Sequence, residues 1–156
     1  MLSTETMTRP AMGSALQPRP WMRRSEAGFM RQPGLPANVL LIEDTPDIRE
    51  LIRFMLETSG MQVLTAGDGR HAIEMIENWP APDAVVLDRM LPFVSGDELI
   101  TRIRDDAIWH EVPIVVVSAK ARGDDVAAAM RLGADDYVVK PFNPIRLVEV
   151  VQGFLQ

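Results

Sequence analysis

Five residues of this chain carry groups that could do chemistry together: Glu43, Asp44, Asp88, Ser118 and Lys140. Each stands where a short apolar run stops. "VLLI" (39–42) runs into Glu43 and Asp44, "AVVLD" (84–88) ends on Asp88, "IVVVSA" (114–119) contains Ser118, and "DYVVK" (136–140) ends on Lys140. Adjacent carboxylates at the end of a buried strand repel each other and are costly to desolvate. Two unit charges 4 Å apart interact by ~4 kcal/mol at an effective dielectric of ~20, so three such acids need a cation. Oxygen ligands without His or Cys favour a hard ion, and Mg²⁺ takes a few carboxylates together with water and phosphate oxygens. A carboxylate beside a metal and an ammonium can accept a phosphoryl group, because both cations offset charge on the equatorial oxygens. A serine hydroxyl can then donate to the product. Taken singly, each residue has an ordinary explanation as a loop acid, a cap or a solvated strand end. Five of them at the ends of four different runs do not.

Only a parallel sheet would bring those run ends to one edge. Together with "QVLTA" (62–66), the runs are rich in Val, Leu and Ile without alternation, which suits strands covered on both faces. Amphipathic stretches with helix signals separate them. Thr45-Pro46 places a cap before a first-turn proline, leading to a stop at Gly60. "SGDE" (95–98) has capping-box spacing, Asn143-Pro144 repeats the cap-proline signal, and helices fit 69–78 and 124–132, the latter closing at Gly133. The pattern is (βα)₅, an α/β chain with a doubly wound five-stranded parallel sheet, whose ligands sit outside the carboxyl ends of the strands.

Residues 1–37 differ from the rest. They hold five of the 12 prolines, five Arg against Glu5 and Glu26, and no sustained period. They read as a flexible or extended arm, with Trp21, Phe29 and the Arg23-Arg24 pair as candidate docking groups. Residues 38–156 form the folded domain and carry 20 acidic against 11 basic side chains. That excess argues against direct nucleic-acid binding. The absence of Cys excludes disulfides, zinc-thiolate sites and thiol nucleophiles. No apolar run approaches the ~20 residues of a membrane span, so a soluble cytoplasmic protein is expected.

The segment 38–156 resembles the receiver domain of a two-component response regulator, which has a flavodoxin-like fold. "LIEDTPDIRELI" (41–52) is similar to that family's acidic-pair segment and "VVLDRMLPFVSGDEL" (85–99) to its phosphoacceptor loop. "PIVVVSAK" (113–120) is similar to its hydroxyl segment and "GADDYVVKPF" (133–142) to its Lys-Pro segment. The spacings agree as well, with 30 residues from Asp88 to Ser118 and 22 more to Lys140. The resemblance implies that Asp88 is phosphorylated by a histidine kinase or a histidine phosphotransfer protein. It implies Mg²⁺ held directly by Asp44, Asp88 and the backbone carbonyl of Met90, with Glu43 acting mainly through bound water. It implies that Ser118 and Lys140 contact the phosphoryl group, that Lys140–Pro141 is cis, and that Tyr137 is the aromatic switch. The readout would lie on the helix at 124–132, the segment around Tyr137 and the last helix. Such a domain is a regulator that catalyses its own phosphoryl transfer rather than an enzyme acting on other substrates.

Three departures qualify the resemblance. Met90 and Lys120, which flank the path of hydrolytic water, offer neither amide nor carboxylate, so slow self-dephosphorylation is expected. The last helix is rich in apolar residues (Ile145, Leu147, Val148, Val150, Val151, Phe154, Leu155), and its surplus could bind a second copy, an effector or the arm. Val126 and Val150 stand where the winged-helix members of the family use Arg for charged pairing. Nothing follows Gln156, which suits either a stand-alone receiver or one piece of a longer chain. Two other readings compete: a pseudo-receiver scaffold without phosphoryl chemistry, and a haloacid-dehalogenase-like phosphatase. The latter expects Asp-x-Asp after the first strand, where this chain has Glu43-Asp44.

Overall fold

The computed structural model describes residues 35–156, so the arm expected over 1–37 lies almost entirely outside the described residues. Ten elements alternate: β1 (Asn38–Ile42), α1 (Pro46–Thr58), β2 (Gln62–Ala66), α2 (Gly69–Asn78), β3 (Ala84–Asp88), α3 (Gly96–Asp105), β4 (Ile114–Ser118), α4 (Gly123–Leu132), β5 (Asp136–Val139) and α5 (Pro144–Phe154). The strands form one parallel sheet in the order β2-β1-β3-β4-β5. This is the doubly wound (βα)₅ arrangement that the alternation of runs predicts. Ala37 is already built into the domain: it is buried, and its carbonyl accepts from the Gln62 N–H at 2.8 Å.

The central strands β1, β3 and β4 are buried at every position, because helices cover both faces. Their side chains alternate between two cores. Leu40, Ile42, Val85, Leu87, Ile114 and Val116 face α2, α3 and α4, while Val39, Leu41, Val86, Val115 and Val117 face α1 and α5. The outer strands β2 and β5 are only partly buried, since each lacks a neighbour on one side. The unbroken apolar runs therefore mark the sheet centre rather than every strand. Trp109 is fully buried in the first core, and its indole N–H donates to the Trp79 carbonyl at 2.9 Å.

Helix starts follow the sequence signals with one difference. Ser95 accepts from the Glu98 N–H, and Asn143 accepts from the Ile145 and Arg146 N–H groups. Thr45 occupies the cap position of α1 but makes no side-chain cap bond. Its backbone N–H instead donates to Glu43 Oε2 at 3.2 Å, so this cap residue serves the acidic site. Pro46 at the start of α1 already removes one orphan donor.

On α5, Leu147, Val150 and Val151 are buried, and Val148, Phe154 and Leu155 pack against the second core. Most of the apolar surplus is thus absorbed by the sheet, leaving Ile145 strongly exposed.

Candidate functional site

Parallel register carries the run ends to one edge. Ile42 pairs with Leu87, Asp88 with Val117, and Ser118 with Val139. The next residue after β1 is Glu43, and the next after β5 is Lys140. The Lys140 N–H donates to the Ser118 carbonyl at 2.8 Å, continuing the β4–β5 ladder past the strand ends. The Lys140–Pro141 peptide is cis, as the resemblance implies.

The Lys140 ammonium lies 3.0 Å from Asp88 Oδ2 and 3.0 Å from Glu43 Oε1. Glu43 and Asp88 are nearly inaccessible to solvent, at 1% and 5%. Asp44 is half-buried beside them. Glu43, Asp44 and Asp88 each offer a carboxylate oxygen, and these oxygens lie within 4.8 Å of one another. One ammonium thus pairs with two of three clustered carboxylates. Burial pushes the Glu43 carboxyl above its ordinary range; the Lys140 hydrogen bond opposes this, and the charge of Asp88 adds to it. At Lys140 burial disfavours the ammonium, yet the hydrogen bonds to Glu43 and Asp88 outweigh it and raise its pKa. The pair therefore moves in one direction for opposed reasons: desolvation wins at the acid and pairing wins at the amine. Three clustered carboxylates against a single ammonium leave an excess of negative charge that a cation would offset. Three oxygen donors and no His or Cys are the donor set of a hard cation such as Mg²⁺.

The remaining candidate residues surround this cluster. Met90 follows Asp88 by two, donating its N–H to Asp88 Oδ1 at 3.0 Å while its side chain is exposed. Ser118 is fully buried, and its hydroxyl accepts from the Lys120 N–H at 3.2 Å. Tyr137 is half-buried and donates its hydroxyl proton to the Lys120 carbonyl at 2.7 Å. It therefore touches the β4–α4 loop that starts at Ser118. The loop after Asp88 is fixed by close packing: a Cβ on Gly96 would lie 2.5 Å from Arg89 Cα and 2.6 Å from the Asp88 carbonyl. Only glycine lets α3 start there, and its N–H donates to the Arg89 carbonyl at 2.9 Å.

One residue of this region escapes sequence reasoning. Arg89 is buried, donating from Nε and Nη2 to the two oxygens of Asp97 at 2.7 and 2.8 Å. Its Nη1 donates to the Asp125 carbonyl in α4 at 2.7 Å and approaches the Tyr137 hydroxyl at 3.5 Å. The Asp97 pair is the main reason its pKa rises, against the cost of burial. The available signal was a cation directly after Asp88 and an acid at the second position of α3.

Among the described residues, no helix is long and apolar enough to cross a membrane. A family model for the response regulator receiver domain matches residues 39–152. The chain is 35% identical over 118 residues to the phosphate regulon transcriptional regulatory protein PhoB of Escherichia coli, covering 76% of this chain and 51% of that protein. It thus spans about half the length of such curated relatives. The chemotaxis response regulator CheY4 of Vibrio cholerae matches with a TM-score of 0.72 at 28% identity, over 77% of this chain and 99% of that one. The receiver domain of the sensor histidine kinase PA1611 of Pseudomonas aeruginosa, solved with magnesium coordinated in its active site cleft, matches with a TM-score of 0.71 at 30% identity, over 77% and 98%. With its acids, hydroxyl and lysine gathered on the matching scaffold, the chain belongs to the response regulator receiver domain family of two-component signalling.

Proposed function

We propose that this receiver accepts a phosphoryl group on Asp88 from the phosphohistidine of a histidine kinase or phosphotransfer protein, with Mg²⁺ held by Asp44, Asp88 and the Met90 carbonyl and Glu43 acting mainly through bound water. The observation that carries this reading is the Lys140 ammonium set 3.0 Å from Asp88 Oδ2 inside a trio of carboxylates. In the transfer the N–P bond of the donor breaks, an O–P bond forms at Asp88, and the imidazole leaves. Mg²⁺ supplies charge neutralisation for the phosphoryl oxygens when bound. Lys140, whose ammonium lies 3.0 Å from Asp88 Oδ2, would stabilise the same oxygens. Ser118 lies one step beyond the residue that pairs with Asp88, where its hydroxyl can turn toward the new phosphate.

Phosphorylation replaces a carboxylate with a group of nearly twice the charge and three strong acceptors. Movement of Ser118 would displace the Lys120 carbonyl that holds Tyr137, which links the site to α4, β5 and α5. Met130, Leu132, Val139 and Ile145 are exposed apolar side chains on those three elements, a surface suited to protein contacts. Hydrolysis should be slow, because neither Met90 nor Lys120 can orient a water for attack on the acyl phosphate.

Incubation with acetyl phosphate should label the protein in a Mg²⁺-dependent manner and leave Asp88→Asn unlabelled. Labelling that persists in Asp88→Asn would refute the assignment. Replacing Met90 by Asn should shorten the acyl-phosphate half-life, and an unchanged half-life would remove the explanation offered for slow hydrolysis.

A further inference from the structure

We propose that Arg89 is a positioning residue that ties the phosphoacceptor loop to the first turn of α4 and to Tyr137, and so sets how much of a change at Asp88 reaches the α4–β5 face. The tether itself stands on the unphosphorylated geometry; its signalling role rests on the reading of Asp88 given above.

The backbone of Arg89 is bonded directly to that of Asp88, yet its side chain contacts Asp97, Asp125 and Tyr137 rather than the acidic cluster. Both oxygens of Asp97 take Nε and Nη2, and this fork holds the group in one plane. That leaves Nη1 aimed at the Asp125 carbonyl, 36 residues away in sequence, at 2.7 Å. The same nitrogen reaches toward the Tyr137 oxygen, whose own proton goes to Lys120. Asp125 belongs to the first turn of α4, where carbonyls are otherwise committed along the helix, so an external donor there fixes the helix start in space. One buried cation therefore holds α3, α4 and the aromatic switch in a single arrangement.

The chemistry requires arginine. Lysine could pair with Asp97 as a point charge but could not serve Asp125 and Tyr137 from the same rigid plane. The arrangement is also poised for change. Of its three partners, Asp97 sits in the first turn of α3, directly after the loop. Asp125 and Tyr137 sit on the elements that a displaced Ser118 loop would shift. The tether thus opposes that shift in the resting protein and transmits any movement of the 89–95 loop directly to α4.

Tyr137 is the single tyrosine of the chain, so incorporation of 3-fluorotyrosine gives one ¹⁹F resonance that reports on this contact. In the absence of phosphodonor, Arg89→Met should displace that resonance and Arg89→Lys should displace it less. Addition of Mg²⁺ and beryllofluoride should move the wild-type line, and the movement should shrink in Arg89→Met. Asp97→Asn, which weakens the fork without touching Arg89, should reproduce the resting displacement and serves if Arg89→Met does not fold. Resting spectra of Arg89→Lys and Asp97→Asn that coincide with wild type would overturn the tether. Acetyl phosphate labelling is read in parallel on Arg89→Lys, which should label like wild type. Failure of the wild type to label would count against Asp88 as acceptor, whereas the resting line positions decide the tether alone.

Discussion

Two arginines brace α3 at opposite ends of the sheet, and they do so differently. Arg104, at the amino ends of β4 and β5, donates to the carbonyls of Gly133, His110 and Val112 and to the Asp135 carboxylate at 2.7–3.0 Å. Asp135 in turn accepts from the Ile114 N–H. Every acceptor belongs to the base of the sheet or the loops that enter it, and none connects to the acidic site. Arg89, at the carboxyl ends, divides its donors among Asp97 of α3, Asp125 of α4 and Tyr137 of β5. Similar chemistry thus staples the base of the sheet at one end and, on the proposal above, couples the acidic edge to α4 and β5 at the other. The difference lies in which elements the partners belong to.

That contrast can be broken in stages. The largest effect is expected from Asp88→Asn: phosphoryl labelling falls to background, while urea denaturation shows a fold at least as stable, because one of three crowded charges is gone. Arg104→Ala should do the reverse, costing about 2–4 kcal/mol in denaturant titrations by stranding several acceptors, with labelling by acetyl phosphate retained. Lost labelling in a folded Arg104→Ala would show that the two ends are not separate.

Glu43 gives a pH test of the acidic edge. Its folded pKa is raised above the ordinary value of 4.5, chiefly by burial. A raised carboxyl favours folding only while protonated, so its contribution is fully present below about 4.5 and is lost as pH rises through the folded value. In EDTA, the melting temperature of wild type relative to Glu43→Gln should therefore fall as pH rises through that window. Mg²⁺ should restore wild type more than the variant. A difference that is flat with pH would mean that the buried acid is not frustrated. The smallest effect is expected for Tyr137→Phe, about 1 kcal/mol from one lost hydrogen bond to the Lys120 carbonyl, with unchanged labelling.

Much of the site was legible in the chain because strand ends are locally encoded. A Val-rich run must be buried, a polar residue ends it, and parallel crossovers then place Glu43, Asp44, Asp88, Ser118 and Lys140 on one edge. The burial of Ser118 and the double pairing of Lys140 conform to that logic. Other features were not legible. Thr45 carries a cap signal, yet its side chain makes no cap bond, while its backbone N–H donates to Glu43, a contact that the cap signal does not record. The apolar surplus of α5 could serve a second copy, an effector or the arm; Val148, Phe154 and Leu155 are partly buried against the core while Ile145 stays exposed, a division that the run of apolar residues does not record.

By itself, then, the sequence determined the order of strands and helices and the placing of Glu43, Asp44, Asp88 and Lys140 at run ends, since apolar periodicity and run ends are properties of neighbours in the chain. Only the tertiary structure decided which partners the buried cations take. Arg89 meets Asp125 and Tyr137 across 36 and 48 residues, and Arg104 meets Gly133 across 29. Such pairings depend on how helices dock and rotate on the sheet. Docking is set by the shapes of two whole cores, and no local pattern records it.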